Sequence, residues 1–410
     1  MNAYKMLILW LVAVLTLGLV ACGGGGGGGG GGVIPENPDR DGDGIPNALD
    51  AFPDAAARFA GFESFVDPAV GTVFSVAVAA SGANSPVTVV GQSDLGTPNL
   101  RGQRWSLDPA LLDPQLTTET LLPLSGNYSA AYGVNTAGLT VGESSSGLNF
   151  VPVYWAAGST AATALSLTMT EGVGDAQTVT TFTAGAAYGV NDGGQIVGEV
   201  ERADGSLMAV LWQPVAGVYG EPVALPELEA GLSATAHFIG SDGMVVGEAM
   251  TAAGLRATLW RVNATGVVQG SALNLGTFDA SHVASSAFGV DTLGRVVGES
   301  VAGNGIIRGV TWVLSGDNVA SKVELGAGSS AMAISGETDR IVGFATTAAE
   351  QRAAVWDARS TLPANFDAVL SSGPDLFTPT AGSSRAFGMS QDGAVVGLSP
   401  LNKAFVAIPQ

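Results

Sequence analysis

Residues 39 to 50 set oxygen donors at the spacing a hard divalent cation requires. Such a cation takes six to eight oxygens. A loop can wrap one if it offers carboxylates at positions 1, 3 and 5, glycine at 6, a main-chain carbonyl at 7, an oxygen at 9 and an acid at 12. Asp39, Asp41, Asp43, Gly44, the Ile45 carbonyl, Asn47 and Asp50 fill those places in order. Asp stands at position 12 where Glu is usual, so its bidentate reach is shorter and the affinity lower. The competing reading is a solvated acidic linker.

No helical pattern precedes this loop, which argues against a helix–loop–helix calcium site. The run D-x-D-G-D-G-I-P-N-x-L-D-x-F-P over Asp39 to Pro53 resembles the thrombospondin type 3 repeat of bacterial surface proteins. That resemblance implies calcium as the cofactor, held by the residues just named. A bound calcium is expected to order residues 39 to 54.

A second set of acids recurs along the chain. Glu143, Glu199, Glu248 and Glu299 each follow a glycine in equivalent repeats, and Gln92 holds the same place in the first. In a closed ring, equivalent positions lie at equal radius. These four are therefore a possible acidic ring, able to take a cation or a basic partner; the alternative is a solvated strand end. Paired carboxylates can also hydrolyse glycosides when suitably separated. Nucleophilic catalysis needs a base beside Ser, Thr or Cys. The only histidines are His237 and His282, which sit at nearly matched places in adjacent repeats and read as structural. Ser281 and Asp279 neighbour His282, but sequence neighbours do not make a triad. No residue is assigned a catalytic role.

The single cysteine is Cys22, which excludes a disulfide framework and a thiolate metal site in the rest of the chain. Lys5 and the apolar stretch from Met6 to Val20 read as a signal peptide over residues 1 to 21. The stretch is short for a membrane-spanning helix, which needs about 20 residues. Leu19-Val20-Ala21-Cys22 resembles the lipobox of bacterial lipoproteins; the alternative is an ordinary signal peptide. The resemblance implies lipid on Cys22 and attachment to a membrane of a Gram-negative cell envelope. Gly23 stands where inner-membrane members carry Asp, which favours the outer membrane. Ten glycines, Gly23 to Gly32, then form a tether that cannot pack a core, so residues 22 to 38 read as lipidated cysteine and linker.

The elements that must position these groups show a repeat. Val-Gly pairs end at Gly91, Gly142, Gly198, Gly247, Gly298, Gly343 and Gly397, spaced 45 to 56 residues apart. Trp105, Trp155, Trp212, Trp260, Trp312 and Trp356 follow the first six at 13 or 14 residues, and Phe405 follows the seventh at eight. Runs such as Ala187 to Val190 and Gln195 to Glu199 flank Asn191-Asp-Gly-Gly, the residue types a tight hairpin turn demands. Four short strands in about fifty residues make one propeller blade. The fold expected over residues 60 to 410 is all-β, a seven-bladed β-propeller of four-stranded blades. The seventh unit ends after three strands, and Phe62 to Val66 is the candidate fourth. An open β-solenoid is the rival.

The repeat glycine reads as a bulge or a close backbone approach, where blades crowd or where tryptophan packs over it. The tryptophans read as core between blades. These units resemble the HAF repeat of bacterial extracellular proteins, most clearly at Ala187 to Glu199, Ala287 to Glu299 and Ala386 to Gly397. The resemblance implies an exported, propeller-like domain and no defined activity.

Acidic residues outnumber basic ones 36 to 16, for a net charge of −20, and no basic cluster offsets it. Nucleic acid is therefore excluded as a partner. The expected module is a monomer that binds or scaffolds an unknown protein or glycan without catalysis. The second reading is a propeller hydrolase or lyase acting on polysaccharide.

Overall fold

The computed structural model describes residues 59–62, 75–82, 86–95, 97, 99–108, 117–172, 177–347, 350–358, 368–370, 383–399 and 402–409. Cys22, the tether and the Asp39 to Asp50 loop lie outside the described residues. Among the described residues every regular element is a β-strand.

Seven antiparallel four-stranded sheets follow the seven repeats. Their first strands are Ser75–Ser81, Ser129–Val134, Gly185–Val190, Ala234–Ile239, His282–Val290, Ser329–Ser335 and Arg385–Met389. Each first strand touches those of both neighbouring blades, and the first and seventh meet, so the ring closes. In the fourth blade, Met244–Thr251 and Gly254–Arg261 continue the sheet outward and Leu273–Asn274 ends it. Two accessory hairpins, Thr168–Glu171 with Thr178–Thr181 and Pro214–Val215 with Val218–Tyr219, are added around the third blade.

A strand ahead of the first repeat completes the last blade. Phe59–Phe62 pairs antiparallel with Ala404–Pro409, running from Phe59 opposite Pro409 to Phe62 opposite Val406. The closing strand thus lies earlier than the expected Phe62 to Val66. Ser75 seals the same joint from the other side, because its Oγ accepts from the Ala404 amide at 3.0 Å. The pairing with Phe59–Phe62 covers the edge that Ala404–Pro409 would otherwise leave free.

The repeat glycine has a single steric cause. In every blade the first strand carries a β-bulge, at Val78, Tyr132, Tyr188, His237, Phe288, Met332 and Phe387. The bulge presses the preceding carbonyl into the second strand, opposite the glycine. A Cβ at Gly142 would lie 1.9 Å from the Ala130 oxygen, and one at Gly247 2.0 Å from that of Thr235. The close approach comes from the blade's own first strand, not from a neighbouring blade or the tryptophan.

The core is divided among the blade junctions. Trp260 packs with Val197, Ala209, Leu211 and Leu225 of the preceding blade, and Trp312 with Val246, Leu259 and Leu275 of its own predecessor. All six repeat tryptophans are fully buried. The seventh blade departs from this rule. Phe405 pairs with Gly397 itself, and its ring lies over that glycine. Ala407, opposite Val395, occupies the tryptophan position, so Phe405 is not its replacement.

Candidate functional site: the layer around the ring's centre

The seven bulged residues sit on the innermost strands, and all are buried. The tilted rings of Tyr132 and Tyr188 have centroids 5.4 Å apart, Tyr188 meets His237 edge to face at 6.1 Å, and His237 and Phe288 are tilted against each other at 5.5 Å. The bulge causes this, since it turns one extra side chain per blade toward its neighbours. Four consecutive blades thus carry a continuous run of buried aromatic rings on their innermost strands.

The four repeat glutamates lie beside this layer. They are not solvated strand ends: Glu143, Glu199 and Glu248 are 2–3% exposed and Glu299 is 8% exposed. A buried carboxylate must be hydrogen-bonded to persist, and the partners come largely from the next blade. Thr235 Oγ1 donates to Glu199 Oε2 at 2.7 Å, Ser286 Oγ to Glu248 Oε2 at 2.6 Å, and Ser330 Oγ to Glu299 Oε2 at 2.8 Å. Ala186 stands at the corresponding place opposite Glu143. There the blade's own tyrosines serve instead, Tyr128 and Tyr132 donating to Oε1 at 3.1 and 2.9 Å. Tyr188 likewise donates to Glu199 Oε1 at 3.0 Å.

The same pairing rule extends past the acids. Phe344 replaces glutamate in the sixth blade, and the following blade offers Arg385, whose guanidinium lies 5.2 Å from the Phe344 ring centre. Leu398 takes the place in the seventh blade, and the first blade presents the buried Val76. Carboxylate meets hydroxyl and aromatic meets cation. From the third blade to the sixth, the residue after the repeat glycine is therefore part of the joint to the next blade.

Electrostatics follow from burial. Burial pushes the Glu299 carboxyl up to about 7, opposed by the Ser330 hydrogen bond and assisted by the charge of Glu248. Burial holds the His237 imidazole down at about 4, against the Ala287 carbonyl and Glu199. His237 is thus neutral at neutral pH, with Nδ1 donating to the Ala287 carbonyl at 3.0 Å. Burial, and then Glu143, raise the Tyr132 phenol well above its ordinary value. A neutral imidazole and protonated phenols supply donors to the layer without adding buried charge.

His282 has a different setting from His237. Its Nδ1 lies 2.8 Å from Ser300 Oγ, but that hydroxyl also accepts from the Phe278 amide and donates to the Ala284 carbonyl. Ser300 is wholly buried and its hydrogen-bonding capacity is taken up, so it is a structural tie and not an activated nucleophile. Among the described residues, no group of three or more His, Cys, Asp or Glu is gathered closely enough to hold a metal ion.

Sequence reasoning missed one recurring tie. Ser75, Ser129, Ser285, Ser329 and Ser384 stand three residues before the bulge, and each Oγ accepts from an amide of the preceding blade's third strand. Their regular place two residues ahead of an alanine, at Ala77, Ala131, Ala287, Ala331 and Ala386, was the available signal.

No family model matches the chain, and no curated protein matches it. Among solved structures, TolB from Acinetobacter baumannii is similar with a TM-score of 0.37 and 8% identity, covering 82% of this chain and 64% of that one. The chain therefore spans less than two thirds of that structure's length. The propeller assignment rests on the strand pairing of the chain itself.

Proposed function

We propose that the chain is a lipid-anchored binding or scaffold module of a Gram-negative cell envelope, and that it is not an enzyme. Lipid on Cys22 would attach it to the outer membrane. The glycines from Gly23 to Gly32 would carry it clear of the lipid surface. Calcium held by Asp39, Asp41, Asp43, the Ile45 carbonyl, Asn47 and Asp50 would stiffen the last stretch before the propeller.

One observation supports the non-enzymatic reading. The acids and hydroxyls best suited to chemistry are engaged as joints between blades: Glu199 with Thr235, Glu248 with Ser286, and Glu299 with Ser330. With Tyr132, Tyr188, His237 and Phe288 buried on the innermost strands, the rims and outer strands would serve a protein or glycan partner. Expression of the full chain in a Gram-negative host, followed by fractionation, tests the anchor. Wild type should sediment with membranes, and Cys22→Ser should move to the soluble fraction. A wild-type chain that stays soluble would overturn the reading.

A further inference from the structure

The glutamate layer is not uniform, and its difference lies in the fourth to sixth blades. Glu143 and Glu199 each receive a tyrosine hydroxyl from their own blade. In the fourth and fifth blades the bulge residues are His237 and Phe288, which bring no phenol. Glu248 and Glu299 each receive a serine hydroxyl, from Ser286 and Ser330 of the next blade. Two buried carboxyls thus stand at equivalent positions of adjacent blades whose bulges carry no hydroxyl.

We propose that Glu248 and Glu299 form a proton-sensitive clamp across the fourth, fifth and sixth blades. With a proton held on the pair the blades close on one another; when it leaves, two buried like charges repel and the clamp loosens. The groups facing Glu299 fit this role. Its own first strand presents Ser286, opposite it in register, and the next blade presents Ser330, whose hydroxyl also contacts Met332 Sδ at 3.4 Å. The preceding blade contributes Glu248, the ionisable neighbour whose charge disfavours ionisation of Glu299. Two interacting carboxyls titrate as a pair, and the second proton to leave is held more tightly than the first.

The direction of the pH effect follows from linkage. The Glu299 carboxyl is raised from an ordinary 4.5 to about 7, with burial as the first cause. Between those values the folded chain binds a proton that the unfolded chain has released. This group's contribution to stability is therefore complete below about 4.5 and lost as pH rises through about 7.

The test compares wild type with Glu299→Gln, which keeps the shape and removes the charge. Measured by thermal unfolding of the full mature chain, the two should melt alike at pH 5. By pH 8 the variant should melt about 5 °C higher. Asp204→Asn is the control: it removes the charge of an exposed carboxylate and should show no such gain. A difference between wild type and Glu299→Gln that stays constant from pH 5 to 8 would overturn the clamp. Carboxyl-carbon NMR of the wild-type chain covers a variant that does not fold: one buried glutamate should titrate near pH 7, and titration of every glutamate near pH 4 would contradict the proposal.

Discussion

Trp260 reaches across a blade boundary: its Nε1–H donates at 2.7 Å to the carbonyl of Pro226, the residue after buried Leu225 at the end of the preceding blade's fourth strand. Trp155 does the same to Leu122 at 3.0 Å, Trp212 to Ser166 at 2.9 Å and Trp312 to Gly276 at 3.1 Å. Each indole therefore fills a junction and also satisfies a carbonyl left over where the outermost strand ends. Trp356 is the exception. Gly326, which follows Leu325, has φ +116° and gives its carbonyl to Ser329 Oγ, and Trp356 Nε1 is buried without a hydrogen-bond partner among the described residues.

This contrast predicts unequal costs for one substitution. Trp260→Phe loses indole volume and a hydrogen bond, leaving a carbonyl unsatisfied; Trp356→Phe loses volume alone. Denaturant unfolding should find Trp260→Phe the more damaging by about 1–2 kcal/mol. Equal costs would show that the hydrogen bond contributes nothing.

The repeat glycines should be intolerant of even a methyl group. Gly247→Ala would place a Cβ 2.0 Å from the Thr235 carbonyl, a backbone atom fixed by the bulge. The expected loss is about 3 kcal/mol or more, read from the unfolding midpoint. Gly220→Ala is the control, because nothing lies within 4 Å of its Cβ. It should change stability by less than about 1 kcal/mol.

The marker residues were legible in the sequence because the backbone demands them. A bulge in every first strand forces a glycine opposite, and every blade junction except that between the sixth and seventh takes a tryptophan, so both recur at nearly fixed spacing. The glutamates recurred just as visibly, yet their burial did not show. It depends on hydroxyls 36, 38 and 31 residues further on, at Thr235, Ser286 and Ser330, which only the packing of consecutive blades brings into reach. The facing residue in the seventh blade was hidden for a related reason. A shortened hairpin moved the third strand's register, so distance from Gly397 no longer identified the facing residue.

Calcium binding by the loop ahead of the propeller should appear in calorimetric titration of the mature chain. Heat is expected with an affinity on the order of 0.1–1 mM or tighter. Asp41→Asn combined with Asp43→Asn should remove it, since both carboxylates hold ligand positions in the spacing. No heat from wild type at millimolar calcium would rule out the site.

The central claim is that, from the third blade to the sixth, the residue after the repeat glycine is a joint matched to the next blade. A double-mutant cycle on Glu248 and Ser286, converting them to the leucine and valine found at Leu398 and Val76, tests it most directly. Glu248→Leu removes the acceptor of the serine hydroxyl and Ser286→Val removes one hydrogen bond from a buried carboxyl, so each should cost about 2 kcal/mol. The double variant should cost less than their sum by at least about 1 kcal/mol, because it restores a matched pair. Strictly additive losses would contradict the account.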